Sequence, residues 1–213
     1  MPDQTDTAST CHLDFETRSA ADLMKGGHHL YADDPSTDAL CAAWAFDDDP
    51  VDLWSPHQTA DDITPLFEHV EQGGLLYAHN AAFEYSIWNK IMCRRYGAPR
   101  LFKSQLRCTA AMARYNGIPG DLERAAATLG LDQQKDKSGA ALIRKLCAPA
   151  DRLDDGRLLW NENPEDLQRM FAYCKQDVRT ERALHKTLMG LPATEQKMFE
   201  LDMSINDRGI HVD

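Results

Sequence analysis

The stretch His12-Leu13-Asp14-Phe15-Glu16-Thr17 constrains this chain more than any other. It reads as a short apolar strand carrying two carboxylates two residues apart. In a β-strand, residues i and i+2 point to one face. Asp14 and Glu16 therefore project together, while Leu13 and Phe15 pack on the other side. Carboxylates held that close repel each other, and a shared divalent cation is the usual remedy. A solvent-exposed strand with alternating charge meets the same pattern, so Asp-x-Glu alone specifies little. The rest of the chain has to decide.

At 213 residues the chain is long enough for one full domain with a small appendage. No apolar run is long enough to span a membrane. Met1 to Thr10 is polar and acidic, unlike a signal peptide, and reads as a flexible tail over residues 1–9. The six cysteines (Cys11, Cys41, Cys93, Cys108, Cys147, Cys174) are scattered with no C-x-x-C pair. That argues against a zinc site and a disulfide framework, and for buried thiols. The net charge of −11 counts against tight autonomous DNA binding, because phosphate neutralisation drives such affinity. It leaves room for a site that grips a few nucleotides through metals.

Strand signals gather early. Cys11 to Glu16, Asp38 to Phe46 and Val51 to Trp54 read as three strands of a meander, with loop over Gly26 to Ser36. Thr59 to Val70 has helical spacing and stops at Gly73-Gly74; Leu75 to Ala78 is a short buried strand. Ala81 to Tyr96 reads as one helix. Beyond it come helices over Cys108 to Tyr115, Asp121 to Leu129, Ser138 to Leu146, Asn163 to about Met189, and Ala193 to Asp207. This order predicts an α/β domain with a mixed central sheet, flanking helices and a helix-rich C-terminal half. Trp44, Trp54 and Trp88 fall within apolar stretches and read as core.

Two further carboxylate signals follow. Leu75 to Ala78 runs straight into a helix, and strand ends of this kind are where α/β sheets place sites. Glu84 falls in the first turn of that helix, the only acid between Glu71 and Asp121. Stabilisation of the helix N-terminus would account for it equally well. Later, Tyr173 and Asp177 stand four apart on one helical face, beside a core stripe of Leu167, Met170, Phe171, Cys174 and Val178. An ordinary boundary tyrosine and a solvated aspartate would look the same.

Taken in order, Asp14-x-Glu16, then Asn80-x-x-x-Glu84, then Tyr173-x-x-x-Asp177 resemble the DEDD superfamily of 3′–5′ exonucleases, of ribonuclease H-like fold. Ala172 stands where the histidine branch carries His, and Tyr173 where the tyrosine branch carries Tyr, so the resemblance is to the DEDDy branch. It covers roughly residues 10 to 190. It implies two divalent cations, Mg²⁺ or Mn²⁺, held by Asp14, Glu16, Glu84 and Asp177, with Tyr173 orienting the attacking water. It also implies contacts from Thr17, Asn80 and Phe83 to the terminal nucleotide. The family carries Asp where this chain has Glu84, which moves a carboxylate outward by about one bond and adds a rotatable bond to freeze.

Residues 191–213, with Arg208-Gly209-Ile210-His211-Val212-Asp213, look like the entry to the polymerase module of family A DNA polymerases, phage-type in flavour. The expectation is a proofreading exonuclease domain acting on single-stranded DNA 3′ ends. A polymerase module would be attached in cis if the chain is a fragment. The setting would be the cytoplasm of a bacterial or phage-infected cell, with no membrane partner. A ribonuclease D-like RNA trimmer and a catalytically weak DNA-binding scaffold are the alternatives. Lys90, Arg94, Arg95, Arg100, Lys103, Arg107 and Arg114 form an acid-free basic stretch. It would serve phosphates or a neighbouring domain, or be a solvated face balanced by acids elsewhere.

Overall fold

Three antiparallel strands begin the domain: β1 (Thr10–Arg18), β2 (Asp38–Phe46) and β3 (Asp52–Trp54). The computed structural model describes residues 9–57, 61–131 and 139–209; most of the expected N-terminal tail lies outside them. Between β1 and β2 lies helix α1 (Leu23–Asp33). After β3 come α2 (Thr64–Glu71) and β4 (Leu75–Ala78), which pairs parallel to β1. A helical stretch follows: α3 (Ala82–Ile87), a π-helical turn (Trp88–Met92) and α4 (Cys93–Tyr96). Strand β5 (Leu106–Cys108) then pairs parallel to β4, giving the order β3-β2-β1-β4-β5. Helices α5 (Thr109–Tyr115), α6 (Leu122–Thr128) and α7 (Gly139–Leu146) precede a two-stranded ribbon, β6 (Asp151–Arg152) with β7 (Leu158–Leu159). Two helices end the described chain, α8 (Pro164–Thr187) and α9 (Ala193–Arg208).

The two faces of β1 sort the core as its alternation requires. Cys11, Leu13 and Phe15 join Trp44, Leu76, Ile87 and Trp88 in one buried cluster under α2 and α3. On the other face Leu40, Cys41 and Ala43 of β2 meet Leu142 and Leu146 of α7 and Met170, Phe171, Cys174 and Val178 of α8. Trp44 and Trp88 are fully buried, as their surroundings in sequence implied, while Trp54 is half-buried at the edge strand. Helix α8 starts where its cap requires: Asn163 Oδ1 accepts from the backbone N–H of Glu165 at 3.0 Å and of Asp166 at 3.2 Å. No helix among the described residues is long and apolar enough to cross a membrane.

The structure corrects several expectations. The segment read as loop over Gly26 to Ser36 is largely helix α1, capped by the Asp22 side chain and anchored by buried Tyr31 and Ala32. Gly27, at φ 68° and ψ 172°, breaks it into two turns, and that glycine pair hid the helix. The helix expected over Ala81 to Tyr96 is interrupted by its π-helical turn. Helix α2 begins at Thr64, where Pro65 takes the first turn, rather than at Thr59, which lies outside the described residues. Strands β5, β6 and β7 were not foreseen, being two or three residues long and too short for a period to register.

Part of the basic stretch turns out to be a seam. Lys90 pairs with Asp33 of α1 at 2.6 Å, Arg95 with Asp38 of β2 at 3.3 Å, and Lys103 with Asp207 of α9. Arg94, Arg100 and Arg114 stay exposed. Gly27 occupies a backbone region that is essentially glycine-only, so Gly27→Ala is expected to lower unfolding free energy by about 1–3 kcal/mol, measured by urea denaturation.

Candidate metal centre

Strand β1 and helix α8 bring the expected carboxylates together. One ligand atom from each of Asp14, Glu16 and Asp177 lies within 4.8 Å of the other two. Asp14 and Glu16 project from one face of β1, and Asp177 comes down from α8, which crosses that face. Glu16 and Asp177 are buried at 9% and 7% exposure. Three carboxylates this close, with little water around them, form an oxygen donor set suited to a hard divalent cation.

Glu84 is brought alongside but is not part of that trio. It sits in the first turn of α3, 3% exposed, with Oε2 buried and without a hydrogen-bond partner. Burial, reinforced by the charges of Asp14 and then of Glu181 and Glu16, pushes its carboxyl well above the ordinary range. A buried acid with an orphaned oxygen beside three carboxylates is what a cation-binding site looks like before its charge is balanced. The residues present fit a divalent cation on these grounds.

Tyr173, one turn before Asp177 on α8, is 3% exposed and its hydroxyl bonds the Asp177 side chain. Burial and the neighbouring Asp177, Glu16 and Asp14 charges push its phenol far up, so it stays protonated and donates. The Cys174 thiol, between them in sequence, lies 3.3 Å from Asp14 Oδ2 and steadies that carboxylate.

A cavity of about 580 Å³ opens beside Glu16. Thr17 and Phe83 line it, together with Leu23 and Met24 of α1 and Ile143 and Arg144 of α7. The Thr17 hydroxyl is held 2.8 Å from the Tyr31 hydroxyl. Asn80 is not among the lining residues. It is exposed at the β4–α3 junction with φ 66°, a left-handed conformation that Asn tolerates better than most side chains. Its carbonyl accepts from the Phe83 N–H at 2.8 Å, so its backbone turns the strand into the helix that carries Glu84.

Sequence reasoning missed a buried pair next to this site. His12 Nδ1 and Glu181 Oε2 lie 2.5 Å apart, at 1% and 2% exposure. Tyr77 of β4 and His185 of α8 cover the His12 ring, with centroids 5.4 and 5.3 Å away. The signal was there to extend: His12 is two residues before Asp14, and Glu181 four after Asp177.

No known protein-family model matches the chain. Over 217 aligned residues it is 34% identical to a protein named DNA polymerase from Bacillus phage SP02, an alignment covering 96% of this chain. The chain spans about a third (32%) of that relative. Among solved structures it is similar to the family B DNA polymerase of the hyperthermophilic archaeon Pyrobaculum calidifontis. The TM-score is 0.55 at 13% identity, over 84% of this chain and 24% of that one. Brucella melitensis NrnC aligns over 96% of this chain and 85% of its own, at 13% identity and TM-score 0.46. The fold is α/β and ribonuclease H-like, a mixed five-stranded sheet with flanking helices.

A carboxyl raised in the folded state binds more protons there than in the unfolded chain. Its stabilising contribution is complete below the usual glutamate range, around 4.5, and is lost as pH rises through the raised value. In chelator, Tm is therefore expected to fall as pH rises above the usual glutamate range, and Glu84→Gln to flatten that slope. Mn²⁺ should raise Tm more at the higher pH, read by differential scanning calorimetry. Glu181→Ala strands the buried His12 N–H and is expected to cost at least about 2 kcal/mol in chemical denaturation.

Proposed function

We propose that this chain is the metal-dependent 3′–5′ exonuclease part of a DNA polymerase. It would remove nucleoside monophosphates from single-stranded DNA 3′ ends as a proofreader. The observation that carries the reading is the Asp14–Glu16–Asp177 cluster, whose Glu16 also lines a nucleotide-sized cavity. Similarity to a phage DNA polymerase supports the DNA substrate. Tyr173 one turn from Asp177, with exposed Ala172 in the preceding position, supports the DEDDy type.

The family A assignment rests on the residues from Glu200 to Asp213, of which α9 and its C-terminal glycine carry those up to Gly209; Ile210 to Asp213 lie outside the described residues. Helix α9 exposes Met198, Leu201 and Ile205 at 59%, 50% and 43%, spaced along one face. An apolar stripe there suits a polymerase module in cis, and a relative about three times as long leaves room for one.

Divalent cations, Mg²⁺ or Mn²⁺, supply a water that ionises near neutral pH and relieve charge on the leaving oxygen. Asp14, Glu16 and Asp177 would hold them, with Glu84 beside Asp14 as the further oxygen donor. Tyr173 donates to Asp177 and would orient the attacking water. The water oxygen forms a bond to phosphorus, and the bond to the 3′ oxygen of the penultimate nucleotide breaks. That oxygen takes a proton from solvent. Thr17 and Phe83 line the space for the departing nucleotide.

The test is degradation of a 5′-labelled single-stranded oligonucleotide, DNA beside RNA, with Mg²⁺, Mn²⁺ or chelator. A ladder shortening from the 3′ end of DNA is expected, abolished by chelator and by Asp14→Ala. Preferential cutting of RNA would favour a ribonuclease instead. Folded protein that binds DNA and cuts nothing would favour a scaffold, and recovery of cutting in Glu84→Asp would trace that loss to the longer side chain.

A further inference from the structure

Helix α7 lines the cavity beside the site, and this reading gives it no further task. It packs along α8, with Leu142 and Leu146 in the same buried cluster as Tyr173. Its first residue is Gly139, and the space a side chain would need there is taken by the Tyr173 ring. A Cβ at position 139 would lie 2.3 Å from Cε2 and 2.8 Å from both Cδ2 and Cζ. Ordinary contact begins near 3.4 Å, so either the ring or α7 must move by more than about 1 Å.

We infer that Gly139 is a positioning residue for Tyr173: its missing side chain lets α7 close over the ring and sets the phenol hydroxyl against Asp177. The inference rests on Tyr173 acting as the water-orienting group. Gly139 lies within helix α7, whose ordinary backbone makes no demand for glycine. Alanine also favours helix over glycine. The effect of Gly139→Ala is therefore the effect of one methyl group meeting one ring. Leu142 and Leu146 are buried at 2% and 0% exposure and resist retreat of α7, so the ring is the part that gives. Displaced by about 1 Å, the hydroxyl leaves Asp177 while Asp14, Glu16 and Asp177 remain where they are.

The experiment uses protein labelled with 3-fluorotyrosine, the Tyr173 signal being identified by its loss in Tyr173→Phe. Gly139→Ala is expected to shift that signal and to lower kcat to the level of Tyr173→Phe, about 10–100-fold below the unsubstituted protein. Mn²⁺ affinity, read by electron paramagnetic resonance, should stay within about 2-fold, because the three carboxylates are untouched. The double variant should be no slower than Tyr173→Phe alone. An unmoved fluorine signal, or kinetic losses that add in the double variant, would overturn the inference. If Tyr173→Phe alone costs no activity, the role given to Tyr173 fails, and the fluorine shift still decides whether Gly139 places the ring. Should Gly139→Ala fold poorly, Gly139→Ala/Tyr173→Leu, which removes the ring, is expected to match the stability of Tyr173→Leu. Additive destabilisation would count against the proposal.

Discussion

The contact between His12 and Glu181 holds the register on which the site depends. Strand residues two apart are separated by about 6.7 Å. Helix residues four apart are separated by about 6 Å along the axis. His12 to Asp14 and Glu181 to Asp177 are therefore near-equal steps on facing elements, and fixing one rung aligns the next. The pair is dry and joins residues 169 apart in sequence. Sliding α8 by one turn would bury Glu181 without His12 and His12 without Glu181, each costing the desolvation of an unpaired group. The carboxylates repel one another, so they cannot supply this alignment themselves, and it has to come from a neighbouring contact that is attractive.

That division of labour explains which parts of the site could be read from sequence. Asp14, Glu16 and Asp177 were legible because strand and helix periods each place two side chains on one face. Glu84 was legible as an isolated acid at a strand-to-helix junction, but its exclusion from the trio was not. Whether a carboxylate reaches a site or stops beside it depends on side-chain length and on the angle of α3, which only packing sets. Gly139 was invisible for a similar reason: a glycine at the start of a helix looks like weak propensity until a ring is found against it.

For the fold, the meander and the long helices were legible because each carried a period and a terminator. Helix α1 was not, since Gly26 and Gly27 together read as a turn, and the burial of Tyr31 that secures the helix is a tertiary fact. The π-helical turn at Trp88–Met92 was equally out of reach. Trp88 donates to the Pro99 carbonyl at 2.7 Å, and Asn89 accepts from the Leu101 N–H at 3.3 Å. These contacts tie the turn to a loop about a dozen residues later. Local spacing does not report such ties.

The distance between the two halves of the site along the chain has a consequence for biosynthesis. Asp14 and Glu16 leave the ribosome early, whereas Asp177 follows about 160 residues later, at the rate of 5–20 residues per second typical of translation. Closing so long a loop carries an entropic cost that only a folded sheet and a docked α8 offset. For the seconds before α8 emerges, the nascent chain holds two strand carboxylates with no third. The carboxylate cluster is incomplete until α8 docks, and α9, which buries Met203, follows it, so the proposed cutting competence arises only as the fold nears completion.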